Sequence, residues 1–235
     1  MNSSVYGQIS IQGIRVVALS RNGGKSKSPF ASLNLAANVG DDLDAVQENV
    51  SLVKELVNAD EISVMNADHG NKINFVTTAG LAPRGDGLIT NRSNLALVAL
   101  AADCVPFGLI DPVNRIIAVG HAGWRGVLSN VMASLLDEFA TAGADLVHTQ
   151  AVIGPAICAI CYEVPADRVD QFRSINPAAV SNDNHLDLVA GVKSELSLIT
   201  SIHEIPGCTA EDLNLFSHRR AAGEPTGRGG LIISM

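Results

Sequence analysis

Two histidines and a cysteine, His69, Cys104 and His121, are the side chains of this sequence best suited to binding a metal ion. Each comes where a strand-like apolar run gives way to a turn. Two imidazoles and one thiolate suit Zn²⁺, and three protein ligands leave the fourth tetrahedral position open for water or substrate. The spacing is long and non-local, so the residues alone also fit a second interpretation. In it, Cys104 is a small buried hydrophobe and each histidine is a hydrogen-bonded core or loop residue.

The stretch 95–126 must position Cys104 and His121. Three apolar runs in it predict strands covered on both faces: residues 96–102, 106–110 and 115–119. Cys104 lies between the first two runs and His121 follows the third. We therefore expect neighbouring rigid elements to bring both residues to one edge of a sheet. The glycine-rich turn 120–126 leads into a helix that we expect to begin near Val127 and to end near Gly143.

The rest of the chain mixes short strands with helices. An opening hairpin or bent strand is predicted at 9–19, and further strands at residues 62–65, 73–77, 150–153 and 230–235. Helices are predicted from Leu43 onward, where Asp41 and Asp42 are placed to cap the start, and at residues 166–174 and 188–199. The helices separate the strands too irregularly for a doubly wound sheet. We expect an α/β or α+β fold, in a single domain over residues 1–235.

Composition excludes several classes of protein. The 235 residues are 47% hydrophobic, which describes a domain that buries a core without disulfides. The net charge of −8, without a basic patch, argues against a nucleic-acid surface or an anionic membrane. The N terminus shows no secretory signal, and the most apolar window is too short to span a bilayer. Four cysteines without an evident framework fit a reducing compartment, so we expect a cytoplasmic protein.

A series of short segments resembles one known family over essentially the whole chain. In order, they are DHG (68–70), DGLIT (86–90), ADCVP (102–106), GHAGWRG (120–126), IGPAI (153–157), CYEV (161–164), HLDL (185–188), FSHRR (216–220) and TGR (226–228). Together they resemble the YfiH-type laccase-domain family, also called polyphenol-oxidase-like proteins. The ADC and GHAGWRG segments carry most of the specificity.

That resemblance implies that His69, Cys104 and His121 are the zinc-binding, catalytic trio. It implies a layered, mixed-sheet sandwich similar to the catalytic domain of cytotoxic necrotizing factor toxins. It also implies phosphorolysis of adenosine, inosine or methylthioadenosine, or deamination of adenosine. The expected partners are a small-molecule nucleoside and phosphate, with no nucleic acid and no membrane, and the protein is expected to be a monomer or a homodimer.

Older descriptions of the family name copper, and a copper-dependent polyphenol oxidoreductase is one alternative. A blue-copper site takes two histidines and a cysteine, but a trinuclear oxygen-reducing cluster needs many more imidazoles. The chain has 6 histidines, at positions 69, 121, 148, 185, 203 and 218, and no His-x-His pair. Zinc is therefore the expected cofactor, and copper is the less favoured metal.

Residue chemistry and the resemblance together predict four substrate-binding residues: Asn34, Arg125, Arg220 and Arg228. Arg125 is predicted to precede a helix N terminus, a location that favours phosphate. For each arginine the alternative is a solvated side chain, or one that covers a helix with its stem. Trp124 either stacks on a purine or packs beneath the site. Asp103 either orients a ligand histidine, shuttles a proton or acts as a cap.

Two further functional interpretations remain open. In one, Cys104 is a nucleophile activated by His121, as in a hydrolase or deamidase acting on amides. In the other, the protein is a metal-binding or interaction module whose trio only holds the fold. Cys158 and Cys161 form a Cys-x-x-Cys pair, which we do not interpret as redox-active or as part of a zinc ribbon. A ribbon would need a second such pair, which Cys208 alone cannot supply.

Overall fold

The computed structural model describes residues 3–235. The strands in this part of the chain are β1 (Val5–Ile11), β2 (Ile14–Leu19), β3 (Glu61–Asn66), β4 (Ile73–Phe75), β5 (Gly80–Arg84), β6 (Gly87–Thr90), β7 (Leu95–Ala101), β8 (Val105–Asp111), β9 (Ile116–Ala122), β10 (Gln150–Ile153), β11 (Val180–Asn182), β12 (His185–Leu186), β13 (Ser201–Glu204) and β14 (Gly229–Ser234). The α-helices are α1 (Leu43–Leu56), α2 (Trp124–Leu128), α3 (Val131–Thr141), α4 (Ala166–Ile175), α5 (Leu188–Glu195) and α6 (His218–Ala221). Among these helices, none has both the length and the apolar character needed to cross a membrane.

Two six-stranded sheets carry the fold. The first has the strand order β1-β2-β14-β7-β3-β5 and the second the order β13-β10-β8-β9-β6-β4. Both sheets are mixed, because β3 runs parallel to β5 and β7 in the first, and β10 runs parallel to β13 in the second. The predicted mixed α/β fold is confirmed. The likeness to the toxin catalytic domain and the single-domain organisation stay predictions.

Apolar side chains cover both faces of the central strands, which explains their continuous apolar sequences. In β7, Leu97 belongs to the cluster between the sheets together with Val119 of β9. The next residue, Val98, packs on the opposite face in the cluster that contains Val53 of α1. A third cluster joins the outer face of the second sheet to α3, α4 and α5. The layers are thus helix, sheet, sheet and helices.

The chain changes sheets at the residues that precede the candidate cysteine. Strand β7 lies in the first sheet and β8 in the second, and only residues 102–104 connect them. Asp103 has a left-handed φ of 96°, and its carbonyl accepts a hydrogen bond of 2.9 Å from the main chain of Ile157. Strands β8 and β9 are antiparallel neighbours, with Pro106 opposite His121. The prediction that neighbouring elements bring Cys104 and His121 to one edge of a sheet is confirmed.

The helix predictions are confirmed in part. Helix α1 begins as expected, because the Asp42 side chain accepts a hydrogen bond of 3.0 Å from the main chain of Asp44. The prediction of a single helix from Val127 to Gly143 is wrong. The structure has two helices here: α2, which begins three residues before Val127, and α3. They are separated at Asn130, which has a left-handed conformation with φ of 59°. Asparagine tolerates that conformation, and the apolar periodicity runs through the break without recording it.

Gly120 provides a test of the packing beneath the site. Its φ is not in the left-handed region, but a Cβ atom there would lie 2.3 Å from the ring of Phe107, the residue opposite it on β8. Because that ring is fully buried, we expect Gly120→Ala to lower the free energy of unfolding by about 1–3 kcal/mol in urea denaturation. Gly126→Ala is the matched control, since its Cβ would meet only ordinary contacts of 3.4 Å or more. Equal stabilities of the two variants would contradict the packing described.

Candidate active site

His69, Cys104 and His121 meet at one end of the second sheet. The candidate ligand atoms of the three side chains all lie within 4.8 Å of one another. The two imidazole rings are 5.0 Å apart between centroids and almost perpendicular, at 87°. His121 is buried at the end of β9, Cys104 is half-buried just before β8, and His69 is exposed on the turn after β3. The structure therefore brings together the three residues that the sequence singles out.

A fourth residue, Asp86, holds the two histidines in place. Its side chain is fully buried, and Oδ1 lies 2.8 Å from Nδ1 of His121. The same carboxylate accepts main-chain hydrogen bonds from His69 at 3.0 Å and from Gly70 at 2.7 Å. These bonds stabilise the left-handed turn at His69, where φ is 64°. Since Asp86 engages Nδ1 of His121, Nε2 is the nitrogen that is available to a metal ion.

The charges of these groups favour the thiolate of Cys104. Burial raises the pKa of this thiol, but the charge of His121 and hydrogen bonds with both histidines outweigh burial and lower the pKa to about 6. Burial lowers the pKa of His121, whereas Cys104 and Asp86 together raise it to about 10. Burial also raises the pKa of Asp86, but hydrogen bonds with His121 and Asp68 bring it down to about 2. A thiolate both binds metals and acts as a nucleophile.

The space between the three side chains fits a metal ion. Two imidazoles and a thiolate are donors that zinc binds well, and the Asp86–His121 contact is the carboxylate–histidine arrangement that commonly supports such ligands. Gly123 closes the site, since a Cβ atom there would lie 2.9 Å from Sγ of Cys104 and 3.1 Å from Cδ2 of His69. A side chain at position 123 would therefore crowd two of the three candidate ligands.

The trio lies on a cavity of about 620 Å³ that is rich in arginine. The four arginines that line it are Arg125, Arg168, Arg219 and Arg228.

Two of these arginines make hydrogen bonds with the main chain. Arg219 donates to the carbonyls of Cys161 and Glu163, at 2.9 and 2.8 Å. Arg228 is half-buried, and its side-chain hydrogen bonds within residues 3–235 come from Nη1 alone, to Thr226 and Gly227. Burial lowers the pKa of Arg228, and the charges of Cys104 and Asp103 partly oppose this decrease. In a protein of net charge −8, this cavity concentrates positive groups.

Trp124 contacts two of these arginines. The guanidinium of Arg125 lies 4.2 Å from the centroid of the indole ring and that of Arg168 lies 4.0 Å from it. Part of the ring also packs against the apolar cluster below. The packing role is observed, and because Trp124 also lines the cavity, the purine-stacking role stays a prediction. Arg125 was predicted to precede the helix, but α2 begins at Trp124, so Arg125 is the second residue of the helix and that prediction is wrong.

Two of the predicted substrate-binding residues do not line the cavity. Asn34 is fully buried, and its side chain binds Ala36, Asp41 and the main-chain N–H of Arg228. The guanidinium of Arg220 donates to a set of carbonyls in one loop: Thr209, Ala210, Asp212 and Leu215. Both residues therefore hold loops around the cavity, with Asn34 positioning the backbone at Arg228. The sequence could not show where these side chains point.

Asp103 acts as a cap. Its carboxylate accepts hydrogen bonds of 2.6 Å from the Thr209 hydroxyl and from the main-chain N–H of Arg219, in the first turn of α6. The ligand histidine is instead oriented by Asp86, which the sequence analysis did not single out although it lies in the DGLIT segment. Arg168 was also missed, because its relevance depends on its contact with the distant Trp124 ring. In the sequence, the one signal of this role was the location of Asp86, an acidic residue, at a strand end.

A second group of candidate ligands lies apart from the trio. Within residues 3–235, Cys158, Cys161, Cys208 and Glu211 also have their ligand atoms within 4.8 Å of one another. The chain has no second Cys-x-x-Cys pair, so the prediction against a zinc ribbon is not tested, but Glu211, three residues after Cys208, completes a set of four possible ligands.

Removing the charge of Asp86 tests the support of the histidines. We expect Asp86→Asn to weaken zinc binding by the trio by about 10–100-fold, measured by competition with a chromophoric chelator. Asp111→Asn is the matched control. Asp111 is also fully buried, and it accepts hydrogen bonds from Val113, Asn114 and Asp145 far along the sheet from the trio. Its variant should lose stability but keep zinc affinity. Unchanged affinity in Asp86→Asn would show that the carboxylate does not support the site.

A methyl group at position 123 tests the ion site directly. Gly123 has φ of −82°, which any residue adopts, so Gly123→Ala should fold normally. Because its Cβ would crowd Cys104 and His69, we expect zinc binding by the trio to be at least about tenfold weaker, by the scale on which supporting changes act at metal sites. Gly126→Ala, three residues on, should bind zinc as the unaltered protein does. Full zinc binding by Gly123→Ala would argue against an ion among these three side chains.

Comparison with known proteins places the chain in a family. Residues 15–235 match the family model described as multi-copper polyphenol oxidoreductase laccase. A purine nucleoside phosphorylase of Streptomyces coelicolor is 36% identical over 90% of this chain and 92% of the relative. A purine nucleoside phosphorylase of Mycobacterium tuberculosis is 35% identical over 97% of this chain and 94% of the relative. The crystal structure of YfiH from Bacillus licheniformis has a TM-score of 0.85 at 30% identity, covering 94% of this chain and 92% of that one. These relatives support an enzyme, and the chain belongs to the YfiH-type, laccase-like family that the model describes.

Proposed function

We propose that the protein is a zinc-dependent purine nucleoside phosphorylase with adenosine, inosine or methylthioadenosine as substrate. The observation that carries the proposal is the position of the trio on a cavity walled by four arginines. A site with three protein ligands has an open coordination position, and guanidinium groups match the geometry of phosphate. The names of the Streptomyces and Mycobacterium relatives agree with this activity.

Phosphorolysis breaks the glycosidic bond between the sugar C1′ and the purine nitrogen. The electron pair of that bond leaves with the base, which takes up a proton, and a phosphate oxygen bonds to C1′ to give the sugar 1-phosphate. The two requirements are a bound phosphate and stabilisation of charge that develops on the leaving base. When bound, zinc supplies a Lewis acid next to the substrate.

The chain's own residues meet these requirements as follows. Arg125, Arg219 and Arg228 surround the cavity with donors for phosphate. Because α2 is only 5 residues long, these side chains rather than the helix dipole must supply the positive charge. Tyr162 lies on the wall, and burial together with the charge of Cys104 raises its pKa to about 12, so it remains a hydrogen-bond donor at neutral pH. Asp86 keeps His121 in one orientation.

The same site suggests deamination of adenosine as a second reaction. Here water replaces phosphate, the bond from C6 to the amino nitrogen breaks, and ammonia leaves with inosine as the product. The His-x-Glu and Cys-x-x-Cys layout of zinc deaminases is absent from the trio. Phosphorolysis is therefore the favoured reaction, and deamination is the second candidate.

Product analysis separates these reactions. Protein of measured metal content is incubated with adenosine or inosine, with and without phosphate, and the products are separated by chromatography. We expect free base and sugar phosphate only when phosphate is present, whereas inosine from adenosine without phosphate would indicate deamination. His69→Ala should lower kcat/KM at least about 100-fold, and His148→Ala, which alters another exposed histidine remote from the cavity, should not. Zinc-loaded protein that forms none of these products would refute the proposal.

Arg125 tests the phosphate site. It is exposed, and its guanidinium makes no hydrogen bond with residues 3–235, so its removal should affect the fold little. We expect Arg125→Met to raise the KM for phosphate about 10–100-fold, the equivalent of one hydrogen bond to a charged group of about 1.5–3 kcal/mol, with a smaller effect on the KM for nucleoside. Arg173→Met is the control, because Arg173 pairs with Asp170 and Asp183 on the surface. Equal phosphate KM values for the two variants would remove Arg125 from the site.

The lowered pKa of Cys104 favours one alternative, an amide hydrolase in which Cys104 is the nucleophile. Alkylation distinguishes it from the metal site. A zinc ligand should react with iodoacetamide only after zinc has been removed, and the zinc-free protein should be inactive. Hydrolysis of amides by the zinc-free protein would favour the nucleophile. A multi-copper cluster finds no support in the described residues, because neither ligand group contains more than two imidazoles.

A further inference from the structure

Two turns of the chain face each other at the second group of ligands. Cys158 and Cys161 belong to one turn, closed by a hydrogen bond of 3.0 Å from the main-chain N–H of Cys161 to the carbonyl of Cys158. Cys208 and Glu211 belong to the other, closed in the same way at 3.3 Å. Each turn therefore presents two ligands separated by two residues. That spacing is typical of structural zinc sites.

The two turns are held against each other by their backbones. Ala156 and Cys208 form an isolated parallel bridge. The main-chain N–H of Cys158 donates to Sγ of Cys208 at 3.3 Å, and Sγ of Cys161 lies 3.5 Å from Oε1 of Glu211. The backbone bridge and these two hydrogen bonds thus bring the four ligand atoms together without an ion. All four cysteines of the chain are free thiols in the structure.

We propose that Cys158, Cys161, Cys208 and Glu211 bind a second, structural zinc ion. Three sulfurs and a carboxylate fill all four tetrahedral positions, so the site has no place for substrate. Binding breaks three S–H bonds, and the protons pass to solvent as three sulfur–zinc bonds form. No oxidant or reductant takes part. The proposal is independent of the activity assigned to the cavity.

The location of this site connects it with the cavity wall. The turn at 158–161 leads into Tyr162, and its Cys161 carbonyl accepts a hydrogen bond from Arg219. In the other turn, Thr209 donates to Asp103, the residue next to Cys104. An ion that joins the two turns would therefore fix two cavity residues, Tyr162 and Arg219, relative to the trio. Its role would be positioning rather than catalysis.

Metal analysis in a background without the first site provides the test. Cys104→Ala removes the thiolate of the trio, and the protein is purified under reducing conditions and equilibrated with zinc in a chelator buffer. We expect this variant to keep one equivalent of tightly bound zinc per chain. Adding Cys208→Ser should abolish that equivalent. Adding Glu211→Gln, a milder change at an exposed position, should weaken zinc binding at least about tenfold.

Cobalt substitution reports which residues hold the ion. With Co²⁺ as the sole metal, the Cys104→Ala protein should show sulfur-to-cobalt charge-transfer absorption, with the tetrahedral visible bands of a site rich in thiolate. Cys161→Ser should reduce the charge-transfer intensity by about a third, since it removes one of three thiolates. Circular dichroism on every variant separates loss of the ion from loss of the fold, and Glu211→Gln keeps the test valid if a cysteine variant fails to fold.

Two results would overturn the proposal. One is a folded Cys104→Ala protein that carries no zinc after equilibration while thiol titration finds Cys158, Cys161 and Cys208 all reduced. The other is a disulfide between two of these cysteines in protein isolated with its thiols trapped. Neither readout depends on turnover of a nucleoside, so failure of the proposed phosphorylase activity and failure of the second zinc site are distinguishable.

Discussion

The buried carboxylate of Asp86 is the interaction on which the candidate active site depends. It has no exposed surface, and a charge in that position is tolerated only when its oxygens are satisfied. Here the partners are the ring of His121 and the main-chain N–H groups of His69 and Gly70. One charge therefore fixes both the ring on β9 and the left-handed turn that carries the other histidine. One imidazole comes from the turn between β3 and β4 and the other from β9, and Asp86 is the group that joins them.

The change of sheet between β7 and β8 sets the location of the site. Three residues connect the layers there, and Cys104 ends that connection. Asp103 takes up a left-handed conformation, and its carboxylate ties the connection to Thr209 and to the start of α6. The loops that form the cavity wall are thus attached to the residue that precedes the sulfur ligand. A cavity at the end of two packed sheets gathers side chains from many parts of the chain.

Electrostatics separates this cavity from the rest of the molecule. The chain has a net charge of −8, yet four arginines line this cavity, together with the buried Asp103 and Cys104, whose pKa is lowered. Such a concentration of positive charge favours an anion beside the trio, as the proposed phosphate site requires. The proposed second zinc ion lies behind this wall, where it would brace the loops that carry Tyr162 and Arg219. The chemistry of the cavity and the rigidity of its wall would then depend on different ions.

The sequence by itself determined the central strands, because continuous apolar runs such as those around Leu97 and Val119 are typical of strands covered on both faces, whereas short strands such as β5 and β13 were not predicted. It also determined α1 through its periodicity and cap, and it identified His69, Cys104 and His121 through their positions at strand ends and their family segments. Only the tertiary structure decided the break at Asn130, since periodicity does not record a single left-handed residue. Tertiary structure also decided that Asp86 supports the trio, that Asn34 and Arg220 hold loops, and that Glu211 joins three cysteines. Each of these depends on the direction of a side chain toward residues distant in sequence, which packing of the layers determines and local patterns do not contain.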